Sequence, residues 1–439
     1  MRFFLTSVSL LFLAIAPTSC KKPEASGISG PEVSGSSAKA WHWVAQFRPA
    51  GVAQGGVYGA LYSFNAISVV SPSVVYAAAI YPDPKDDDAR TPIVAKTTDG
   101  GANWTEIKLP NPDKKIMRLN AIRFVSPTTG WVAGSDDSGH GLVLGTSDGG
   151  ANWSATALSS TNLTPTAIYT DGASAFWVGG AGPKPVSNEK PIFVSPPQGG
   201  AKGTAGPHNV AGPGPRRVTG AHNAGAPAAG KPGGAGGTKA ADEDSGDDGP
   251  SDLLFSSDQG SSFAPRYRLP VSIFDLSFVD AQTGWASCNP AAVYHTDNGG
   301  RTWDAQQTGI SVDTAGTPHQ LVALAGISFC DRLHGWIAGG TDAPLTGIVE
   351  ATTDGGKTWN LLWKPVGETV NDILFISPRE GWVASTNGLY VYHSTDGGHT
   401  WQVEQITNDQ RPSINRLGAA DPTHVWAAGG GGIFFREPQ

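Results

Sequence analysis

Three cysteines and two methionines occur in 439 residues, and charged side chains make up only 15% of the chain. So few thiols exclude a disulfide-stapled scaffold. Too little Leu, Glu and Lys is present for a helical bundle to be the natural outcome. Basic residues are outnumbered 30 to 38, for a formal net charge of −8, so the basic surface that nucleic-acid binding needs is missing. What the chain does have is 58 Gly, 33 Pro and 14 Trp, with 39% hydrophobic and 9% aromatic residues. That suffices for a core and rules out wholesale disorder. The length suits two or three ordinary domains, or one symmetric all-β ring.

The first nineteen residues read as an export signal. Arg2 is a short positive start, and Phe3 to Ala16 is an apolar stretch of signal-peptide length, short for a membrane span. Pro17-Thr18-Ser19-Cys20 follows. Small residues before a Cys resemble a bacterial lipobox, in which Cys20 is acylated and becomes the mature N-terminus; Pro17 stands where Leu is usual, and a plain signal peptide is the rival reading. Residues 20–39 then form a polar Gly/Ser/Pro tether. The expected location is extracytoplasmic, on a lipid anchor. Export permits a disulfide between Cys288 and Cys330, although they occupy unlike positions in consecutive repeats.

One turn recurs six times as S/T-x-D-x-G-x-x-W. Its third position is held by Asp99, Asp148, Asp258, Asn298, Asp354 and Asp396, and its last by Trp104, Trp153, Phe263, Trp303, Trp359 and Trp401. The carboxylate can accept backbone N–H groups of its own turn, a Gly supplies positive φ, and the aromatic packs on a neighbouring sheet. In phase with it runs an aromatic slot: Tyr76, Trp131, Trp177, Trp285, Trp336, Trp382 and Trp426. Eleven residues before each slot a strand begins, as in NAISVVSP at Asn65, NAIRFVSP at Asn120 and NDILFISP at Asn371, with period-two pairs such as Ile122/Phe124 and Ile373/Phe375.

Seven slots imply seven units of four strands, a β-propeller with about 47 residues per blade once leader, tether and insert are set aside. The last unit stops at Arg436 without a fourth strand, whereas Ala40 to Phe47 is an orphan strand at the front. It is expected to complete blade seven and close the ring over residues 40–439. Residues 181–251, rich in Gly, Pro and Ala and ending in an acidic run, read as a disordered insert in blade three. Ile192-Phe193-Val194 and Leu253-Leu254-Phe255 compete to be that blade's third strand.

The recurring turn resembles the Asp-box, or BNR repeat. Its alternation with the GW-type motif from Trp41 to Phe435 resembles the photosystem II stability/assembly factor family. That resemblance implies a seven-bladed, non-catalytic scaffold binding a protein partner during assembly of a membrane complex, with the Asp-box residues structural. Sialidases and xyloglucanases share the Asp-box, so the alternative is a glycoside hydrolase or a glycan-binding module. The slot one residue into the innermost strand offers Asp275, Asp372 and Arg416, which are expected to meet near the channel mouth as a polar lining or, in the alternative, a catalytic group. Arg118 and Arg123 are candidates for a small patch binding an anionic partner. The histidines show no ligand spacing, and no metal or cofactor is expected. A monomer is expected.

Overall fold

The computed structural model describes residues 33–34, 41–45, 63–83, 86–111, 116–136, 138–158, 163–182, 249–310, 323–342, 345–385, 390–406, 413–430 and 432–436. They form seven sheets, each holding four strands of the expected repeat in antiparallel order. Blade one runs Ser63–Val69, Val75–Asp83, Asp86–Thr97 and Thr105–Lys108, and blade two Arg118–Phe124, Gly130–Ser135, Gly141–Thr146 and Ser154–Ala157. The innermost strands of blades three to seven are Thr164–Thr170, Ser272–Phe278, Ala323–Phe329, Val370–Phe375 and Ile414–Asp421.

Trp41–Ala45 pairs antiparallel with Gly432–Arg436 and becomes the fourth strand of blade seven. A buried ionic cluster backs this junction. Glu404, on the outer strand of blade six, accepts from the Trp41 indole at 2.9 Å and from Arg436 Nη2 at 2.7 Å. Val33–Ser34 also pairs, parallel, with Trp401 and Gln402 of that strand. The proposed leader, Cys20 and the rest of the tether lie outside the described residues.

Blade three takes Ser251–Ser256 as its third strand, settling the choice in favour of Leu253-Leu254-Phe255. Its second strand ends at Ala181, and Gly182 still bridges Gly249. The expected insert therefore lies outside the described residues over 183–248, between two paired ends. Cys288 and Cys330 are both free thiols.

Seven hydrophobic clusters hold the ring, one at each junction between adjacent blades. The repeated motifs explain them. The Phe that ends an inner strand stacks on the aromatic slot of the preceding blade: Tyr76 on Phe124 at 3.6 Å, Trp285 on Phe329 at 3.5 Å, Trp336 on Phe375 at 3.7 Å. The same Phe covers the Gly of its own GW pair, so a Cβ at Gly335 would stand 2.2 Å from the Phe329 ring. The slot indole then reaches the next blade's Asp-box turn, as in Trp285 Nε1 to Gly355 O at 3.2 Å and Trp336 Nε1 to Gly397 O at 2.9 Å.

Antiparallel order sorts the connections onto two faces. Asp-box turns and the short links between first and second strands share one face, hereafter the turn face. Links between second and third strands, and between blades, leave from the other, the loop face. The described strand ends that flank 183–248 and 311–322 lie on the loop face.

Candidate functional site in the axial channel

The inner strands share a feature that sets the geometry of the channel: each carries a register shift near its start, between Leu119 and Ala121, Ile273 and Asp275, Val370 and Asp372, Ile414 and Arg416, and likewise in blades one, three and five. A bulge leaves one residue out of the ladder, re-aims its neighbours and strands a carbonyl. At four junctions the unpaired residue's side chain takes the carbonyl stranded at the next blade's bulge. Asn120 Nδ2 donates to Pro165 O at 2.9 Å, Thr166 Oγ1 to Ile273 O at 2.7 Å, Asn371 Nδ2 to Ile414 O at 2.9 Å, and Asn415 Nδ2 to Phe64 O at 3.0 Å.

Asp275, Asp372 and Arg416 come directly after their bulges and line one cavity of about 310 Å³ on the propeller axis. Arg416 Nη1 stands 3.9 Å from Asp372 Oδ1. The carboxylates are also tied to backbone. Asp372 Oδ2 accepts the Leu417 N–H of blade seven at 2.7 Å; Asp275 accepts the Leu276 N–H at 2.8 Å and that of Ile327, in blade five, at 3.4 Å. Burial pushes Asp372 up to about 7, opposed by Arg416 and reinforced by Asp275. Asp275 is raised by burial too, again opposed by Arg416. A carboxyl that holds its proton near neutrality beside a second carboxylate could serve acid–base chemistry.

The next channel layer, two residues further along each inner strand, lies closer to the turn face. Here Ser68, Ser277 and Ser328 accept the N–H of Phe124, Phe329 and Phe375 of the following blade, each at 2.9 Å. Arg123 fills the same position in blade two, its guanidinium over the Tyr169 ring at 5.7 Å. Arg118 begins the strand that Arg123 nearly ends. Five residues of extended chain separate them by about 16 Å, so the structure does not bring these two arginines into one patch. Arg123 shares the channel lining with Arg416 instead.

The Asp-box side chains stay at the rim and are occupied by their own turns. Asp99 Oδ1 accepts from Thr97 Oγ1 at 2.8 Å and from the Asn103 N–H at 2.9 Å, while Thr97 Oγ1 accepts the Gly101 N–H. Asp148, Asp258, Asp354 and Asp396 repeat this arrangement, and Asn298 reproduces it with its amide oxygen. Hydrogen bonds from Asn152 and Thr146 hold Asp148 down at about 2, and those from Ser256 and Ser262 hold Asp258 there. Gln259, at φ 58°, stands in the left-handed position that Gly takes in the other copies. Among the described residues no group of three or more His, Cys, Asp or Glu is placed to hold a metal.

Sequence reasoning missed the serine and asparagine pins of the inner strands. The signal was present, since Asn65, Asn120, Asn371 and Asn415 recur at one repeat position, three residues before Ser68, Arg123, Leu374 and Gly418.

The sequence profile described as photosynthesis system II assembly factor YCF48 matches residues 89–176 and 314–410. The photosystem II assembly lipoprotein Ycf48 of Synechococcus sp. (strain CC9902) is 37% identical over 151 residues, 34% of this chain; the match spans 40% of that relative's length. Among solved structures, YCF48 bound to D1 peptide superposes with a TM-score of 0.57 at 13% identity, covering 94% of this chain and all of that one. YCF48 from Cyanidioschyzon merolae gives 0.54 at 13% identity, covering 91% and 98%. A GH74 xyloglucanase from Xanthomonas campestris gives 0.53 at 14% identity, covering 90% of this chain but 53% of the enzyme. The structural likenesses are of fold; the sequence matches make the chain resemble the YCF48 family in particular.

Proposed function

Since the chain resembles the YCF48 photosystem II assembly factors, we propose that it is a non-catalytic scaffold binding a protein partner in the assembly or stability of a membrane or envelope complex. It acts outside the cytoplasm, held to a membrane through a lipid on Cys20. The observation that carries the reading is the use made of the channel carboxylates. Asp275 and Asp372 each bind the backbone N–H of the following blade, as Ser68, Ser277 and Ser328 do one layer away. They are blade-to-blade pins, and among the described residues no second pair of carboxylates lines the cavity. A partner-binding role also suits a rigid ring of sheets whose longest links join strand ends on one face. The likeness in fold to YCF48 bound to D1 peptide supports a protein-partner role.

Crosslinking in intact membranes followed by pull-down of the full chain tests the proposal. A reproducible protein partner is expected, as is release of a Cys20→Ser variant into the soluble fraction. Hydrolysis of xyloglucan or sialyl glycans that disappears in Asp275→Asn/Asp372→Asn would overturn it in favour of a glycoside hydrolase.

A further inference from the structure

The seam between blades six and seven encloses a histidine. His393, on the third strand of blade six (Tyr390–Ser394), is buried, and its ring lies flat on the Trp382 indole at 4.9 Å. Each ring nitrogen meets a charged group. Nε2 stands 2.7 Å from Glu380 Oε1, in the link between the first and second strands of the same blade. Nδ1 stands 3.3 Å from Glu404 Oε1, on the outer strand, and 3.3 Å from Arg436 Nη2, which arrives on Gly432–Arg436 of blade seven. Its neighbours across the ladder, Trp382 and Gln402, carry no charge. Among the described residues its charged partners are therefore Glu380, Glu404 and Arg436.

Such a site has two complete hydrogen-bond arrangements that differ by one proton. A neutral imidazole has one donor and one acceptor nitrogen: Nε2–H donates to Glu380 and Nδ1 accepts from Arg436. An imidazolium has two donors, so Nδ1–H turns to Glu404 instead. Arg436 gives up little by this, because its Nε and Nη2 already donate to Glu404 at 2.8 Å and 2.7 Å. Without the proton, two carboxylates face one guanidinium in a largely buried site; with it, the charges balance. Burial alone would raise the Glu404 carboxyl, yet hydrogen bonds from His393 and Arg436 hold it below its ordinary value, so it stays an anion for the imidazolium to meet. The like charge of Arg436 opposes the proton, but two carboxylates, one of them at 2.7 Å, outweigh it.

We infer that His393 is a proton-operated clasp on the ring: with its proton it ties the last strand of blade seven to blade six through Glu404, and without it this seam loosens. Glu404 also accepts the Trp41 indole at 2.9 Å, so the closing strand Trp41–Ala45 is held by the same device. The inference does not depend on the assembly role proposed above.

Amide hydrogen exchange of the full chain between about pH 5.5 and pH 8, the span in which histidine titrates, tests it once corrected for the intrinsic pH dependence of exchange. Dividing the protection of Gly432–Arg436 by that of Arg118–Phe124 in blade two cancels any effect on the ring as a whole. This relative protection should fall as pH rises, by no more than about tenfold per pH unit, the limit for one linked proton. His393→Gln, which keeps a donor and an acceptor but takes up no proton, should remove the fall. Glu380→Gln, which removes one of the two carboxylates, should move it to lower pH. Asp372→Asn, whose side chain serves the inner strand of blade seven, should retain it. Unchanged near-UV circular dichroism shows that each variant is folded; should His393→Gln fail to fold, the wild-type and Glu380→Gln profiles still decide. Relative protection that is flat with pH in wild type, that falls equally in His393→Gln, or that superposes on wild type in Glu380→Gln would overturn the inference.

Discussion

Asp372 illustrates how one buried side chain trades local structure against pH tolerance. Its pKa of about 7 in the folded ring lies above the ordinary value near 4 of an unfolded chain. The folded state therefore binds the proton more tightly, and stability from this group is greatest below about pH 4 and is lost as pH rises through 7. By linkage the loss is at most about 4 kcal/mol. The thermal midpoint of wild type should fall between pH 5 and pH 8, and Asp372→Asn, which keeps an acceptor for the Leu417 N–H, should flatten that fall. Differential scanning calorimetry at pH 5, 6, 7 and 8 checks it; parallel curves for the two proteins would contradict the assignment. The Asp-box carboxylates act in the opposite sense. Asp148 and Asp258, held at about 2, contribute stability that is present above about pH 4 and is lost as pH falls toward 2. At this scale the sequence was only partly legible. It placed Asp275, Asp372 and Arg416 on the channel, because equivalent positions in a repeat converge on its axis. It could not show that both carboxylates bind backbone, because that contact depends on a bulge in each strand and a bulge has no sequence mark of its own.

Strands and turns were far more legible, because each repeat writes the same contacts with the same residues. A GW pair, a terminal Phe and an Asp-box turn are three statements of one blade junction: the Phe ring lies over the Gly of its own blade and stacks on the preceding blade's aromatic, whose indole clasps the turn ahead. Gly335→Ala should therefore be destabilising beyond any change in propensity. The new methyl would meet the Phe329 ring at 2.2 Å and force it off Trp285, an overpacking cost of about 1–3 kcal/mol. Chemical denaturation measures it, with Phe329→Leu in the same background expected to recover part of the loss; an unchanged midpoint would contradict the packing account. What the sequence concealed at this level was polar. Ser and Asn in a strand read as solvent-facing or as strand ends, and only the ring geometry turns Asn120, Asn371 and Asn415 inward onto a neighbour's carbonyl.

For the molecule as a whole, seven blades were countable before any coordinate because the aromatic slots are in phase with the turns. The third strand of blade three was not, since two apolar triplets flank the same stretch. The bridge between Gly182 and Gly249 shows that the chain leaves and re-enters blade three at adjoining points. Replacing residues 184–247 with a short Gly-Asn-Gly link should leave the melting temperature within about 2 °C of wild type, since a link between two already paired ends is expected to contribute little beyond closure entropy. A drop of ten degrees or more would mean that the stretch packs on the propeller.

Because Trp41–Ala45 precedes every other strand of the ring and Gly432–Arg436 follows them all, the two cannot meet until the strands between them have emerged. Until then Trp41–Ala45 lacks its partner strand and the Glu404 carboxylate lacks the Arg436 guanidinium. Newly made chains thus pass through a ring open at one seam, and that seam is where aggregation, or a chaperone, would first take hold.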